Sequence, residues 1–229
     1  MEFMLDTANL QAIERFTQAF SINGVTSNPS ILKKEGKIDL YAHLKKIRTM
    51  IGMEKSLHVQ VVAKDFDGML KDAEAILENV DREVYIKVPV NEVGLAVIKE
   101  LKKRGVNVTA TAIYTQIQGL LAIHAGADYI APYYNRMENL NIDPQFVISS
   151  FAEEIHRTNA KTKILGASYK NVAQVTTSID CGAQAVTVGV DVVEQFFAHP
   201  SIEKAVEDFA HDFEEIHGVN QTMSSKLSM

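Results

Sequence analysis

One lysine lies where a charged residue is unexpected, inside the apolar stretch EVYIKVPVNEVG that runs from residue 83 to 94. Val84, Ile86 and Val88 share one face of a predicted strand, and Lys87 lies on the opposite face. A strand buried on both faces does not carry a charge unless that charge is paired or has a chemical role. This pattern makes Lys87 a candidate for chemistry.

The chemistry that suits a buried lysine is nucleophilic attack on a carbonyl carbon. Burial lowers the pKa of the ammonium group, and the neutral amine that results forms a Schiff base with a ketone. The protonated Schiff base withdraws electrons, so that the bond between the α and β carbons breaks or forms without a metal or an organic cofactor. The alternative for Lys87 is a structural ion pair with Asp6, which is compatible with catalysis by Asp6.

Polar side chains also fall on the inward face of other predicted strands, mostly near the carboxyl ends. Buried polar groups cost roughly 1–3 kcal/mol each when unpaired, so their convergence indicates a site. Tyr133 suits acid–base transfer, directly or through water. Four residues suit the binding of hydroxyl groups, namely Asp6, Asn28, Gln60 and Thr111; Arg136 and Lys170, with Ser168, suit a phosphate. His58 is interpreted as an interior or rim residue, because no HxH or HExxH pattern supports a metal.

Eight short apolar segments alternate with helical patterns along the whole chain. They begin at Phe3, Gly24, Leu57, Val84, Asn107, Tyr129, Lys163 and Ala185. Eight strand–helix repeats predict a (β/α)8 TIM barrel, an α/β fold whose active site lies at the carboxyl ends of the strands. An open doubly wound sheet is the alternative, weakened because no GxGxxG or Walker pattern is present.

The barrel is predicted to form a single domain with an additional C-terminal helix, over residues 1–218. That helix, SIEKAVEDFAHDFEEIHG, carries an apolar face that packs either on a neighbouring subunit or on its own barrel; the face comprises Ile202, Ala205, Val206, Phe209 and Phe213. Residues 219–229 are polar and small, and they predict a flexible tail.

Composition excludes several classes of protein. The chain has 229 residues, a 46% apolar fraction and a net charge of −6, which argue against a nucleic-acid or membrane partner. The single cysteine, Cys181, forms no internal disulfide. No signal peptide or apolar run of transmembrane length is visible, and a cytoplasmic location is expected.

Four segments resemble the transaldolase family. GVTSNPSIL, from Gly24 to Leu32, resembles the first family signature, and VYIKVPVNEVGL resembles the second, which carries the Schiff-base lysine. APYYNR, from Ala131 to Arg136, and LGASYK, from Leu165 to Lys170, resemble two further family segments. The resemblance covers nearly the whole chain, and its length matches the small subfamily that contains fructose-6-phosphate aldolase and short transaldolases.

The resemblance implies a role for each matching residue. Lys87 would form the Schiff base and Asp6 would assist proton transfer near it. Thr26 and Asn28 would contact the hydroxyl end of the substrate. Gln60, Thr111 and Tyr133 would position a catalytic water. Arg136 and Ser168 would bind the phosphate, with Lys170 nearby. Asn91 and Val93 depart from the second signature, where Thr or Ser and a polar residue are usual. These departures concern the hydrogen bonding of the loop.

The implied reaction is the metal-independent cleavage of fructose 6-phosphate to dihydroxyacetone and glyceraldehyde 3-phosphate. Tyr133 and Gln60 are similar to the aldolases, since transaldolases usually have Phe and long transaldolases have Glu at these positions. The alternative is a transaldolase of the pentose phosphate pathway, which moves a dihydroxyacetone unit from sedoheptulose 7-phosphate or fructose 6-phosphate to an aldose phosphate. Short members of the family look like homo-oligomers, often decamers of two pentamers that use the C-terminal helix.

Two hypotheses from other classes remain at this point. A non-catalytic barrel that binds sugar phosphates would keep Arg136 and Ser168 but would not need Lys87. A metal-dependent aldolase would need clustered histidine ligands, which His58 alone does not supply. Loss of activity in excess chelator would favour the metal-dependent enzyme.

The role of Tyr133 generates a first prediction. A phenol hydrogen-bonds the water that protonates the enamine, whereas a phenyl ring does not. We therefore expect Tyr133→Phe to raise transfer to erythrose 4-phosphate relative to cleavage, measured as the ratio of the two product rates. An unchanged ratio would contradict this role.

Overall fold

The chain forms a closed barrel of eight parallel strands in the computed structural model, which describes residues 1–226. Each strand pairs with the next one along the chain, and the eighth pairs with the first. The strands are β1 Glu2–Asp6, β2 Gly24–Thr26, β3 Ser56–Gln60, β4 Tyr85–Pro89, β5 Val108–Ile113, β6 Tyr129–Pro132, β7 Lys163–Gly166 and β8 Ala185–Val188. The predicted TIM barrel is confirmed, and the open sheet is excluded.

Helices follow the strands along the chain. They are α1 Leu10–Ala19, α2 Pro29–Leu32, α3 Leu40–Ile51, α4 Phe66–Asn79, α5 Glu92–Lys103, α6 Gln116–His124, α7 Tyr134–Asn139, α8 Pro144–Thr158, α9 Val172–Asp180, α10 Val190–Phe197 and α11 Pro200–His217. Short 3-10 turns lie at Lys33–Glu35 and Ser224–Lys226.

Asn and Asp side chains begin many of these helices by accepting a backbone N–H of the first turn, as helix N-caps commonly do. Asp143 is the N-cap of α8, and Pro144 occupies the first helical position. Asn91 begins α5 in the same way, because its Oδ1 accepts the N–H of Gly94 at 2.8 Å. The departure of Asn91 from the second signature therefore leaves the loop after β4 with a capping hydrogen bond.

Large side chains pack together inside the barrel, toward the amino-terminal ends of the strands. Met4, Tyr129 and Leu165 are buried there, and Tyr85 packs against them. His58 stacks on Tyr85 with ring centroids 4.7 Å apart, and both its ring nitrogens are hydrogen-bonded, to Thr109 Oγ1 at 2.8 Å and to Ser56 Oγ at 2.9 Å. The prediction that His58 is an interior residue is confirmed.

The sixth strand is shorter than the sequence pattern predicts. The segment YIAPYY extends from Tyr129 to Tyr134, but β6 ends at Pro132 and α7 begins at Tyr134. Tyr133 makes a single bridge to Ala167, and the Tyr134 N–H then donates to the Ala167 carbonyl at 2.9 Å. Periodicity does not detect such a turn, because an apolar residue suits either element.

Residues 1–192 form one compact unit, and a second unit begins at Val193. The second unit contains α11, which confirms the predicted C-terminal helix. No residue of α11 is buried, and Ile202, Val206 and Phe209 are 50%, 63% and 72% exposed. The domain boundary at 218 and the flexible tail over 219–229 stay predictions, and residues 227–229 of that tail lie outside the described residues.

Within residues 1–226, no helix combines the length and the apolar character that a bilayer crossing requires.

Candidate active site

A cavity of about 210 Å3 opens at the carboxyl ends of the strands. It brings together most of the residues that the sequence analysis singled out, namely Asp6, Asn28, Lys87, Tyr133, Arg136, Ser168 and Lys170. Thr26, Gln60 and Thr111 are not among the residues that line it. Because the lining comes from strands distant in sequence, closure of the barrel is what assembles this site.

Lys87 projects from β4 and is only 4% exposed. Burial lowers the pKa of its ammonium group, and the negative charge of Asp6 acts in the opposite direction. Strand pairing places Lys87 between Gln60 of β3 and Thr109 of β5. The amine is therefore nucleophilic at a lower pH than that of a solvated lysine, as Schiff-base chemistry requires.

Asp6 ends β1 and faces the same cavity. Burial raises the pKa of its carboxyl group, while the charge of Lys87 and a hydrogen bond from Thr26 lower it. Burial thus acts on both partners in the direction that moves a proton from the ammonium to the carboxylate. Such a transfer leaves the net charge unchanged and yields a neutral amine beside a carboxylic acid, which is a nucleophile beside a proton donor.

Thr26 supports Asp6. Its side chain is fully buried, and its Oγ1 donates to Asp6 Oδ1 at 2.6 Å. The same oxygen lies 2.6 Å from Thr187 Oγ1, and Thr187 lines the cavity. Thr26 is therefore a partner of the carboxylate, and the residue next to it on the cavity wall is Thr187.

Tyr133 and Thr111 are joined at the wall of the cavity. Their hydroxyl oxygens lie 3.0 Å apart, and burial raises the pKa of the phenol, so that it stays protonated at neutral pH. Gln60, the third member of the proposed water-binding group, lies at a neighbouring cavity of about 560 Å3, together with Pro29 and Asn91.

The guanidinium of Arg136 lies against two tyrosine side chains. Its central carbon is 4.8 Å from the ring centroid of Tyr133, and Nη1 donates to Tyr114 Oη at 2.9 Å. The rings of Tyr114 and Tyr133 meet edge to face, with centroids 5.6 Å apart. These contacts fix the plane of the guanidinium, which suits recognition of a planar or tetrahedral oxyanion.

The loop after β7 is fastened to the start of α7. The Asn135 N–H donates to the Ser168 carbonyl at 3.1 Å, which brings Ser168 close to Arg136 in the same corner of the cavity. Ser168 has a φ of 63°, a left-handed conformation that is uncommon for a serine. Such strain persists only where surrounding contacts impose it, and it is frequent at ligand sites.

The side chain of Gln174 also links the loop after β7 to α7, through two hydrogen bonds. It is 7% exposed, its Oε1 accepts the Lys170 N–H at 2.7 Å, and its Nε2 donates to Asn135 Oδ1 at 3.1 Å. The Gln174 side chain therefore holds the backbone of Lys170 against the residue that precedes Arg136.

Sequence reasoning missed several residues of the site, namely Lys34, Tyr114, Gln174 and Thr187. Gln174 follows the N-cap Asn171 by three residues, and this capping pattern was available as a signal. Lys34 adds a further cation to the cavity wall and lowers the pKa of Asp6. Nothing in the pattern of single strands distinguishes Tyr114 or Thr187 from a packing residue.

Over residues 1–226, no group of three or more His, Cys, Asp or Glu side chains is placed to hold a metal ion. The polar groups that line the cavity are amines, a guanidinium, two carboxylates, an amide and hydroxyls.

Comparison with known proteins places the chain among named relatives. A family model described as transaldolase/fructose-6-phosphate aldolase matches residues 3–228. A curated protein of Streptococcus pneumoniae (strain ATCC 700669 / Spain 23F-1), described as a probable fructose-6-phosphate aldolase, is 56% identical over 213 residues. The aligned region covers 93% of this chain and 96% of that relative.

The opposed charges of Asp6 and Lys87 predict a shift in pH dependence. Asp6 stabilises the ammonium form, so Asp6→Asn lowers the pKa of Lys87 and moves amine reactivity to lower pH. The check is the pH midpoint for trapping a small ketone, such as dihydroxyacetone, with cyanoborohydride and intact-mass detection. Asp191→Asn is the matched control, because Asp191 lines the cavity but does not contribute to the shift of Lys87. A midpoint that stays or rises in Asp6→Asn would contradict this coupling.

The contacts of Arg136 predict a role for Tyr114. Tyr114→Phe removes the hydrogen bond that orients the guanidinium, and one such bond contributes about 0.5–1.5 kcal/mol. Binding of inorganic phosphate, measured by calorimetry, is expected to weaken about 2- to 10-fold. Tyr41→Phe, at a separate cavity, is the control and leaves phosphate affinity unchanged. Equal affinity in the Tyr114 variant and wild type would show that Arg136 needs no such support.

Proposed function

The chain belongs to the transaldolase/fructose-6-phosphate aldolase family, and we propose that it is a class I aldolase that cleaves fructose 6-phosphate. The products are dihydroxyacetone and glyceraldehyde 3-phosphate. The observation that carries the proposal is the buried Lys87, whose amine faces a carboxylate and shares its cavity with Arg136 and Lys170.

The proposed reaction begins with attack of the Lys87 amine on the C2 carbonyl of the sugar. Loss of water from the adduct gives a protonated Schiff base. Cleavage of the C3–C4 bond then sends its electron pair into an enamine, while the C4 hydroxyl loses its proton and becomes the aldehyde of glyceraldehyde 3-phosphate. Protonation of the enamine carbon and hydrolysis release dihydroxyacetone and restore the amine. The water lost in the second step is returned in the last.

Acid–base groups for these proton transfers flank the amine. Asp6 accepts the proton that Lys87 must lose before attack, since burial disfavours the charged form of both groups. Tyr133, hydrogen-bonded to Thr111, is proposed to hold the water that protonates the enamine. Thr26 is proposed to keep the carboxyl group of Asp6 in orientation. Gln60, which lines the adjoining cavity, is proposed to contact the same water.

The two ends of the substrate are distinguished by charge. Asn28 and Asp6 are proposed to bind the hydroxyl end, next to Lys87. Arg136, Ser168 and Lys170 are proposed to bind the phosphate, because they bring two cations and a hydroxyl to one corner of the cavity.

Transaldolase activity, the alternative for this family, is not favoured. The relative that covers most of the chain is described as an aldolase. The phenol of Tyr133 agrees with that assignment, because it supplies a hydrogen bond that a phenylalanine lacks.

The decisive test of the reaction is turnover without an acceptor. Purified enzyme with fructose 6-phosphate alone is expected to release glyceraldehyde 3-phosphate and free dihydroxyacetone in equal amounts, with full activity in excess chelator. Lys87→Met is the inactive control. Release of product only after an aldose phosphate is added would identify a transaldolase, and loss of activity in chelator would identify a metal-dependent enzyme.

We further propose a homo-oligomer, by resemblance a decamer of two pentamers, located in the cytoplasm and acting on phosphorylated sugars without a nucleic-acid or membrane partner. Support for assembly comes from α11, whose Ile202, Val206 and Phe209 form an exposed apolar face. The single cysteine agrees with a reducing compartment.

Assembly is tested by changing one residue of this apolar face. Wild type is expected to sediment at several times the protomer mass of 25.4 kDa. Val206→Glu places a charge on the exposed apolar face and is expected to shift the protein toward monomer. Glu207→Lys changes a charge elsewhere on the exposed helix and leaves the mass unaltered. A monomeric wild type, or a Val206 variant of unchanged mass, would contradict the proposal.

A further inference from the structure

Side chains of the three neighbouring strands β8, β1 and β2 are joined by hydrogen bonds between hydroxyl and carboxyl groups. Asp6 lies on β1, which pairs with β2 on one side and β8 on the other. Thr26 of β2 contacts the carboxylate at 2.6 Å, and Thr187 of β8 contacts Thr26 at 2.6 Å. The three side chains form an unbranched chain of hydrogen bonds that ends at the cavity, which Thr187 lines.

Counting protons fixes the direction of this chain when Asp6 is ionised. A carboxylate only accepts, so the single hydroxyl proton of Thr26 is donated to Asp6. The contact between the threonines must then use the proton of Thr187, which donates to Thr26. The lone pairs of Thr187 Oγ1 stay unused, since residues 1–226 show no second hydrogen bond to this atom. Thr187 therefore presents an acceptor to the cavity.

The direction reverses when Asp6 is protonated. The carboxylic acid then donates to Thr26, Thr26 donates to Thr187, and the proton of Thr187 points to whatever occupies the cavity. Both directions use the same short oxygen–oxygen contacts, so no side chain has to move. The hydroxyl of Thr187 thus offers the cavity an acceptor when Asp6 is ionised and a donor when Asp6 is protonated.

We propose that Thr187 and Thr26 form a proton relay between Asp6 and a hydroxyl group of the bound sugar. The proposal rests on the proposed function and adds Thr187 to its machinery. In the forward step the sugar O–H bond breaks and its proton passes to Thr187 Oγ1. The proton of Thr187 passes to Thr26, and that of Thr26 passes to Asp6 Oδ1. One proton moves from the sugar to the carboxylate, and each threonine ends neutral.

The surrounding groups make such a relay useful. The groups that act on Asp6 or that it acts on are the cations Lys34, Lys87 and Arg136 and the phenol of Tyr133. Three further titratable residues line the cavity, namely Lys170, Tyr169 and Asp191. Once Lys87 is bonded to the sugar in the Schiff base, it no longer exchanges protons with the carboxylate. The two threonines provide a second route that remains connected while Lys87 is in the Schiff base.

A packing role alone does not account for this pair. Thr26 is fully buried and Thr187 is 2% exposed, and a buried hydroxyl gains nothing over a methyl group unless it is hydrogen-bonded. Valine has the same shape as threonine, so Thr187→Val removes the relay with little change in volume. Thr187→Ser removes a methyl group and keeps the relay.

The experiment measures single-turnover cleavage of fructose 6-phosphate by wild type, Thr187→Val and Thr187→Ser, with borohydride trapping of the Schiff base in parallel. Thr187→Val is expected to form the trapped adduct as wild type does but to cleave the sugar roughly 10- to 100-fold more slowly. Thr187→Ser is expected to cleave within about threefold of wild type. Equal cleavage by the Val variant, or equal loss in both variants, would overturn the relay.

Wild type alone supplies a second measurement, should the Val variant fail to fold. The single-turnover rate in mixtures of H2O and D2O is expected to fall along a curve, because more than one proton moves in the same step. A straight line would overturn the relay. A wild type that cleaves no sugar and traps no adduct would instead overturn the proposed function, so the two failures are distinguishable.

Discussion

Burial of the Lys87 amine inside the barrel is opposed by the cost of removing an ammonium group from water. That cost lowers its pKa, and the nearby charge of Asp6 prevents it from falling further. Burial raises the pKa of Asp6 as well, so it disfavours the charged form of both groups. The nucleophile and the proton acceptor of the proposed reaction are therefore products of one physical constraint.

The fold satisfies this constraint by separating the barrel interior into two zones. Large side chains such as Met4 and Tyr129 close the amino-terminal half, and His58 is fixed among them by two hydrogen bonds. Polar groups occupy the half toward the carboxyl ends of the strands, where the cavity opens. Arg136 lies against Tyr133 at the wall of this cavity, so the proposed phosphate-binding corner and the proposed acid–base group share a contact.

Much of this arrangement is predictable from sequence, because strand periodicity assigns a face to each side chain. Lys87 and Asp6 are found this way, and eight repeats predict the closed barrel. Gln60 lines the adjoining cavity and Tyr133 lines the main one, a division that strand periodicity does not predict. Thr187 and Tyr114 were missed because their partners, Thr26 and Arg136, lie on other elements, and only barrel closure brings those elements into register.

Intact mass after borohydride reduction shows whether Lys87 forms a Schiff base. Wild type and Lys87→Met are each incubated with fructose 6-phosphate and then reduced. We expect a dihydroxyacetone-sized adduct on wild type and none on the variant. An adduct of the same size on both proteins would place the chemistry on another lysine, and no adduct on either would contradict Schiff-base formation.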